Sequence, residues 1–333
     1  MNLSDKPLVS VRDLSVSIGE VPILDGVSID IYQGEILAVM GESGAGKSMV
    51  AMSIMGILPP LGKITGGEIF FREKNLLATS ENSRRELRGT SMAMVHQDAP
   101  TALNPVYTVG YQIAEMFRAR LGMGRKAAQE KAVELIRKVG LPNPEERSKY
   151  YPHQLSGGMR QRIMIAMAIA LQPDFLIADE PTTALDVTVQ AQILDLLAKL
   201  QQENQMGVML VTHDFGVVAE IANRVAILYA GRVIETGKPD EIFTRAAHPY
   251  ALALAACVPD LDLEDQALPS ISGRPASLVD SIKGCAFSPR CPFSQDICNS
   301  ERPLLKVVAQ GRQAACHFSE KLMTSDNAAR AFI

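Results

Sequence analysis

The chain lacks a surplus of basic residues, an apolar run of membrane-spanning length and an apolar N-terminal segment. Its 33 lysines and arginines face 37 aspartates and glutamates, and the formal net charge is −4. Proteins that bind nucleic acid usually carry a basic excess, so nucleic acid is disfavoured as the main partner. The longest apolar candidate, residues 163–178, is interrupted by Gln172, Pro173 and Asp174 and should not span a membrane. The N-terminus shows no secretory signal, which favours a cytoplasmic protein.

Cysteine is also scarce, with five residues in a chain of 333. In a reducing compartment these cysteines are expected to be thiols or ligands rather than disulfides.

The length of the chain is sufficient for a large core and for more than one domain.

The most informative stretch is a glycine-rich loop between an apolar run, residues 36–40, and a second apolar run that begins at Met49. This order predicts a strand, a loop and a helix, which is the arrangement that wraps a polyphosphate at a helix N-terminus. Lys47 would reach the β- and γ-phosphates, and the Ser48 hydroxyl would ligate Mg²⁺. The alternative is a glycine-rich turn that binds nothing. The predicted nucleotide-binding residues here are Gly41, Glu42, Ser43, Gly44, Ala45, Gly46, Lys47, Ser48 and Met49.

Two further segments predict groups that act on phosphate. Ser156 can cap a helix that begins with Gly157 and Gly158, which makes a second anion-binding helix end. A short buried strand, residues 175–178, delivers Asp179 and Glu180 to its carboxyl end. Beside a phosphate loop, Asp179 suits the Mg²⁺ shell and Glu180 suits a general base, although a solvated acidic turn is the alternative.

Two polar residues lie at the ends of further predicted strands. Gln97 follows the apolar run 91–95, and His213 follows the run 208–212. Open α/β sheets bind ligands at the carboxyl ends of their strands, but alone Gln97 is an ordinary loop amide and His213 an ordinary histidine. Residues 111–139 show helical periodicity and predict a helical lobe inserted between β-rich segments.

Taken together, these segments resemble the nucleotide-binding subunit of ATP-binding cassette (ABC) transporters over residues 8–240. Residues 41–48 match the Walker A loop, Gln97 the Q-loop, residues 155–159 the LSGGx signature, residues 175–180 Walker B, residues 184–186 the D-loop and His213 the switch histidine. The resemblance implies a P-loop α/β fold of RecA-like type, with an antiparallel β subdomain, a helical subdomain at about residues 97–160 and a boundary near residue 240. It also implies ATP hydrolysis with Mg²⁺.

The resemblance assigns a role to each matching residue. It implies that Gln97 senses Mg²⁺, the attacking water and the membrane partner, and that His213 contacts the γ-phosphate. Ser156, Gly157, Gly158 and Asp186 would act on the ATP of a second cassette packed head to tail. Ile18 stands where the family usually has an aromatic residue that stacks on adenine, and the aliphatic contact should be weaker by about 1 kcal/mol.

The C-terminal part, residues 241–333, is expected to be an irregular extension that carries four cysteines, Cys285, Cys291, Cys298 and Cys316. Their spacing lacks paired CxxC motifs, so zinc, an iron–sulfur cluster and free thiols all stay open on spacing alone. Residues 99–105, 248–250 and 284–292 resemble the dipeptide and oligopeptide branch of the family, which implies a [4Fe-4S] cluster on these cysteines. A structural staple is the simpler role for it, and a redox or regulatory role is the alternative.

The leading interpretation is therefore the ATPase subunit of a bacterial importer for dipeptides or oligopeptides. It would lie on the cytoplasmic face of the inner membrane with a second, distinct cassette and two permease subunits, served by an extracytoplasmic binding protein. Importers of nickel, opines or glutathione share this ATPase type. A non-transport ABC ATPase acting on DNA or ribosomes is the rival, and a module that holds ATP without turnover is a third possibility.

Overall fold

The computed structural model describes residues 6–96, 102–183, 185–257, 271–278 and 283–324. They form two compact units, each built from separate stretches of chain. The first contains the described residues of Met1–Leu8, Ile31–Ile36 and Leu76–Val211, and the second those of Val9–Asp30, Leu37–Asn75 and Thr212–Ile333. Within the described ranges, no helix combines the length and the apolar character needed to cross a membrane.

The first unit combines helices with a short parallel sheet. Its strands, in the order β8-β7-β6, are β6 (Met92–Val95), β7 (Phe175–Asp179) and β8 (Gly207–Val211). Its helices are α2 (Glu81–Leu87), α3 (Val109–Leu121), α4 (Arg125–Lys138), α5 (Pro144–Arg147), α6 (Gly157–Ile169) and α7 (Val187–Asn204), with a 3₁₀ turn at Pro152–Gln154. Every residue of β7 and β8 is buried, as expected for parallel strands covered on both faces.

The helical segment predicted at residues 111–139 consists of two helices. Helix α3 ends at Gly122, which has a left-handed backbone (φ 62°) and closes the helix with a bond to the Phe117 carbonyl. Helix α4 then begins after Gly124, and its buried face holds Ala128, Ala132 and Ile136. Those three residues recur at helical spacing, which is the periodicity that the sequence shows.

The second unit contains two sheets. A four-stranded sheet has the order β2-β1-β4-β5, and five further strands have the order β11-β12-β10-β9-β3. The strands are β1 (Val9–Ile18), β2 (Val21–Ile31), β3 (Ile36–Met40), β4 (Gly62–Phe71), β5 (Lys74–Asn75), β9 (Arg224–Tyr229), β10 (Arg232–Gly237), β11 (Lys306–Ala309) and β12 (Arg312–Ala314). The helices are α1 (Lys47–Met55), α8 (Phe215–Ile221), α9 (Pro239–Arg245), α10 (Pro249–Ala256), α11 (Asp296–Ser300) and α12 (Ser319–Met323).

The C-terminal extension is more regular than the sequence indicated. Its described residues include helices α10, α11 and α12, a 3₁₀ turn at Ser288–Arg290 and the hairpin of β11 and β12. Strand β12 pairs antiparallel with β10, so the extension continues the sheet of the preceding core. These elements are only three to eight residues long, which is too short for hydrophobic periodicity to reveal.

A cluster of aromatic rings joins this extension to the core of the second unit. Tyr229 on β9, Tyr250 on α10 and Phe287 lie with ring centroids 4.5–5.4 Å apart, and all three are almost fully buried. Aromatic pairs at this separation stabilise a fold beyond the area that they bury. The extension is thus packed into the unit that also carries the glycine-rich loop.

Candidate functional site

The glycine-rich loop has the predicted strand, loop and helix on either side. All five residues of β3 are buried, and α1 begins at Lys47 after the left-handed residue Gly46 (φ 101°). Ser48 and Met49 therefore lie in the first turn of α1, while Ser43 and Gly44 are exposed at the loop surface. The amides of a first helical turn point out of the helix and favour an anion there.

Gly41 is the residue of this loop with the least room for a side chain. Its φ is 149°, and a Cβ atom placed on it would lie 2.3 Å from the carbonyl oxygen of Leu228 on β9. At the other end of the loop, the Gly231 amide donates to the Ala45 carbonyl at 3.0 Å. The loop is therefore held against β9 and its following turn at two points.

The Lys47 side chain lies over the loop. Its ammonium donates to the carbonyl oxygens of Gly41 at 2.8 Å and Glu42 at 3.1 Å, and the residue is buried. A lysine held in this way presents a positive charge beside the helix N-terminus. A strand, glycine loop and helix of this form define the P-loop class of nucleotide-binding folds.

In the first unit, β7 places the two predicted carboxylates. Asp179 is the last residue of the strand and is buried, and Glu180 follows it with a left-handed backbone (φ 45°). The Glu180 amide donates to the Val211 carbonyl at 2.9 Å, and its Oε2 accepts from the Thr183 hydroxyl at 3.0 Å. A left-handed residue other than glycine costs about 1–3 kcal/mol and is typical of functional positions.

The signature segment begins helix α6. The Ser156 hydroxyl oxygen accepts from the Met159 amide at 3.3 Å as an N-cap, and Ser156 and Gly157 are exposed. Gly158 has a second constraint, because a Cβ atom there would lie 2.5 Å from Cγ1 of Val189 on helix α7. The close approach of two helices thus requires glycine at this position whether or not the helix end binds an anion.

Three of the four remaining predicted residues lie among the described residues. The Asp186 carboxylate caps helix α7 by accepting from the Val189 amide at 2.9 Å. His213 is exposed two residues after β8, and Ile18 is the half-buried last residue of β1. Gln97 lies outside the described residues. Lys47, His213 and Ile18 thus belong to the second unit, and Ser156, Glu180 and Asp186 to the first.

The four C-terminal cysteines converge. Cys285, Cys291, Cys298 and Cys316 all line one small cavity in the second unit, together with Phe287 and His248. Burial, with a smaller contribution from the neighbouring cysteines, raises the pKa of Cys291 to about 11 and of Cys316 to about 12. Across the described ranges, no three His, Cys, Asp or Glu side chains are grouped so that they could hold a metal ion. The four cysteines therefore line one cavity, but among the described residues they are not arranged as a ligand group for a metal ion.

Sequence reasoning missed two residues that contact the P-loop from far along the chain. The Tyr250 hydroxyl accepts from the Glu42 amide at 2.8 Å, and the Arg290 guanidinium binds the Glu42 carboxylate. Residues 248–250 and 284–292 resemble the peptide-importer branch, but nothing local indicates that they reach the loop. Their distance along the chain, 208 and 248 residues, explains why only the fold reveals them.

Comparison with known proteins agrees with this architecture. The family model for "ABC transporter" matches residues 24–183, and the model for "Oligopeptide/dipeptide transporter, C-terminal region" matches residues 234–298. Dipeptide transport ATP-binding protein DppD of Escherichia coli K12 is 44% identical over 93% of this chain and 96% of its own. The corresponding DppD of Bacillus subtilis is 46% identical over 94% and 95%.

Solved structures show the same fold. The dimeric ATP-binding cassette MJ0796, in a post-hydrolysis state with ADP and Pi, aligns with a TM-score of 0.62 and 28% identity. The alignment covers 69% of this chain and 98% of that one. The chain belongs to the ATP-hydrolysing subunits of ABC transporters of the dipeptide and oligopeptide type.

Proposed function

We propose that this chain hydrolyses ATP to drive the import of dipeptides or oligopeptides through a bacterial membrane. The relatives named for dipeptide transport cover nearly the whole chain, and the match to the oligopeptide and dipeptide C-terminal model supports the same cargo class. The chain works as a peripheral subunit on the cytoplasmic face of the inner membrane. Its domains are the cassette, residues 1–240 with a helical subdomain at about 97–160, and the extension from residue 241.

The observation that carries the proposal is the P-loop with its buried lysine. Two carbonyl groups hold the Lys47 ammonium beside the loop, where it would meet the β- and γ-phosphates of a bound nucleotide. Mg²⁺, held by Ser48, Gln97 and Asp179 with the ATP, would neutralise charge that develops on the phosphate oxygens.

We assign the general base to Glu180. Its hydrogen bond from the Thr183 hydroxyl orients the carboxylate beyond the end of β7. A fixed carboxylate can orient and polarise water for attack on the γ-phosphate. For Gln97 and His213 we propose the roles of water-sensing amide and of contact to the γ-phosphate, and for Ile18 a contact with adenine.

We propose that two cassettes, this chain and a distinct paralogue, share two ATP sites. Ser156 and Gly157 are exposed at the start of a helix of 13 residues, which suits contact with a phosphate held by another subunit. Gly158 and Asp186 shape that helix end and the adjoining helix. Binding of ATP closes the pair and hydrolysis opens it, which moves two permease subunits supplied by an extracytoplasmic binding protein.

We also propose a [4Fe-4S] cluster on Cys285, Cys291, Cys298 and Cys316. The support is that four thiols line one cavity, which is the donor set that such a cluster needs. Iron and acid-labile sulfide, measured on protein purified without oxygen, would establish the cluster. One zinc per chain would instead identify a zinc site, and the absence of both metals would leave four thiols.

ATP hydrolysis by the assembled transporter tests the nucleotide site. Glu180→Gln should bind ATP but lower turnover by at least about a hundredfold, since a general base contributes about 10²–10⁴ in rate. Lys47→Ala should weaken ATP binding itself. The matched control is Glu203→Gln on helix α7, whose carboxylate makes exposed ion pairs with Lys138 and Lys199. Normal turnover in Glu180→Gln would refute the assigned base.

Uptake tests the cargo. Cells that carry the transporter should accumulate a labelled dipeptide, and Glu180→Gln should abolish that uptake. Competition by unlabelled peptides, with none by nickel, opines or glutathione, supports the peptide class. The opposite pattern of competition would reassign the transporter to another solute.

A further inference from the structure

Glu42 is the loop residue that the C-terminal extension contacts directly. Its carboxylate accepts two hydrogen bonds from Arg290, at 2.7 Å to Nη1 and 3.0 Å to Nη2. Arg290 is the last residue of the 3₁₀ turn Ser288–Arg290 and immediately precedes Cys291. A paired, two-point contact between a guanidinium and a carboxylate fixes both the distance and the plane of the two groups.

Arg290 uses every N–H group that its guanidinium has. Besides the two bonds to Glu42, Nη1 donates to the Tyr229 hydroxyl at 3.3 Å, Nη2 to the Ile271 carbonyl at 3.1 Å and Nε to the Ser272 carbonyl at 2.9 Å. The side chain is 3% exposed. Five donors in a rigid fork are a property of arginine alone, so lysine could not make this set of contacts.

Glu42 also makes hydrogen bonds through its backbone, which connect it to Tyr250 and to Lys47. Its amide donates to the Tyr250 hydroxyl, and its carbonyl accepts from the Lys47 ammonium. The one residue is thus held at its side chain by Arg290, at its amide by Tyr250 and at its carbonyl by the lysine assigned to the phosphates. Loss of the Arg290 contact would release one of the three groups that hold Glu42, whose carbonyl oxygen is one of the two that Lys47 contacts.

We propose that Arg290 is a positioning residue of the nucleotide site, through which the C-terminal extension holds the P-loop in its phosphate-binding form. This inference rests on the proposed function, because it requires the loop to bind ATP. If Arg290 only joined the extension to the core, its substitution would affect the stability of the fold. A positioning residue affects ATP affinity as well, without contacting ATP.

The direct test is ATP binding to the full-length chain by calorimetry, with Arg290→Gln as the variant. We expect affinity to fall by about tenfold, which is less than the roughly hundredfold that a displacement of about 1 Å can cost in rate. In the assembled transporter, KM for ATP should rise by a similar factor while kcat changes much less, because the loop binds substrate and transition state alike. Arg290→Lys should not restore affinity, since it keeps the charge without the fork.

The matched control is Arg302→Gln in the same extension. Arg302 makes a half-exposed ion pair with Asp25 at 3.0 Å, and among the described residues no hydrogen bond or ion pair joins it to the loop, so its loss should leave ATP affinity unchanged. Wild-type ATP affinity in Arg290→Gln, with or without a lower melting temperature, would overturn the inference. An equal loss of affinity in Arg302→Gln would also overturn it.

A double-variant cycle shows whether Arg290 acts through Glu42. If it does, Glu42→Gln and the double variant with Arg290→Gln should lose no more affinity than Arg290→Gln alone. Additive losses would overturn the proposed route. If Arg290→Gln fails to fold, Glu42→Gln still tests the proposed role of Arg290, because that variant leaves three of the five Arg290 hydrogen bonds in place. Full ATP binding by Lys47→Ala would refute the proposed phosphate site itself, whatever Arg290 does.

Discussion

The ion pair between Glu235 and Arg312 gives a quantitative test of how the extension is joined to the cassette. Glu235 lies on β10 and is fully buried, and Arg312 lies on β12 and is nearly so. The carboxylate accepts from Arg312 Nη2 at 2.7 Å and Nε at 3.2 Å. It also accepts from the amides of Ala247 at 2.9 Å and His248 at 2.8 Å.

Arg312→Met removes the cation and keeps most of the side-chain volume. It leaves a buried carboxylate with two backbone donors, and removal of one partner of a buried pair costs about 3–5 kcal/mol. Arg302→Met breaks an ion pair that is about 40% exposed on both sides, and such a pair is worth about 1 kcal/mol or less. The double variant that combines Arg312→Met with Glu235→Gln has no unpaired buried charge at this place. Much of the stability lost in Arg312→Met should therefore return.

The penalty should depend on pH. Burial raises the pKa of Glu235 above its ordinary value of 4.5, while the Arg312 side chain lowers it. Without Arg312 the folded-state pKa rises further, so the folded chain keeps a proton where the unfolded chain has lost it. The stability of Arg312→Met should therefore be greatest at low pH and fall as pH rises from 4.5 through the folded-state pKa.

Urea unfolding followed by circular dichroism measures these differences, since the chain contains no tryptophan. The transition of each variant is compared with wild type at mildly acidic and mildly alkaline pH. Equal losses in Arg312→Met and Arg302→Met, or a loss in Arg312→Met that is the same at both pH values, would refute the reasoning.

Three other predictions follow from the structure. Burial lowers the pKa of His248 to about 3, so the unfolded chain binds a proton below pH 6.5 that the folded chain does not. The free energy of unfolding should therefore fall by about 1.4 kcal/mol per pH unit as pH decreases below 6.5. His248→Gln should reduce this pH dependence in the same unfolding assay. Gly158→Ala should lower the melting temperature because its Cβ meets Val189, and adding Val189→Ala should recover part of the loss; no recovery would contradict the helix contact. In metal-free protein, the raised pKa values of Cys291 and Cys316 should make both thiols react slowly with iodoacetamide at neutral pH, and rapid labelling of the folded chain would contradict their burial.

Sequence reasoning predicted the features that are local in the chain. The strand, loop and helix around Lys47 and the cap at Ser156 depend on residues a few positions apart, and the structure shows both. The β7 strand that ends at Asp179 is another example. In each case hydrophobic period and helix-terminus chemistry were sufficient.

Features that depend on distant partners were not predicted. Glu42 contacts Arg290, which lies 248 positions away, and Glu235 contacts Arg312, which lies 77 positions away. A pattern of neighbouring residues cannot predict contacts at these separations. Gly158 shows a different limit. Its glycine was interpreted as part of an anion-binding helix end, whereas the helix-to-helix contact with Val189 also requires it, and a sequence motif does not separate the two reasons.

The span between Glu42 and Arg290 has a consequence for how the protein is made. At roughly 5–20 residues per second, a ribosome adds the 248 residues from Ser43 to Arg290 in roughly 12–50 seconds. During that interval the loop is complete in sequence but has no arginine to hold it. We expect newly synthesised chains to acquire tight ATP binding only near the end of translation.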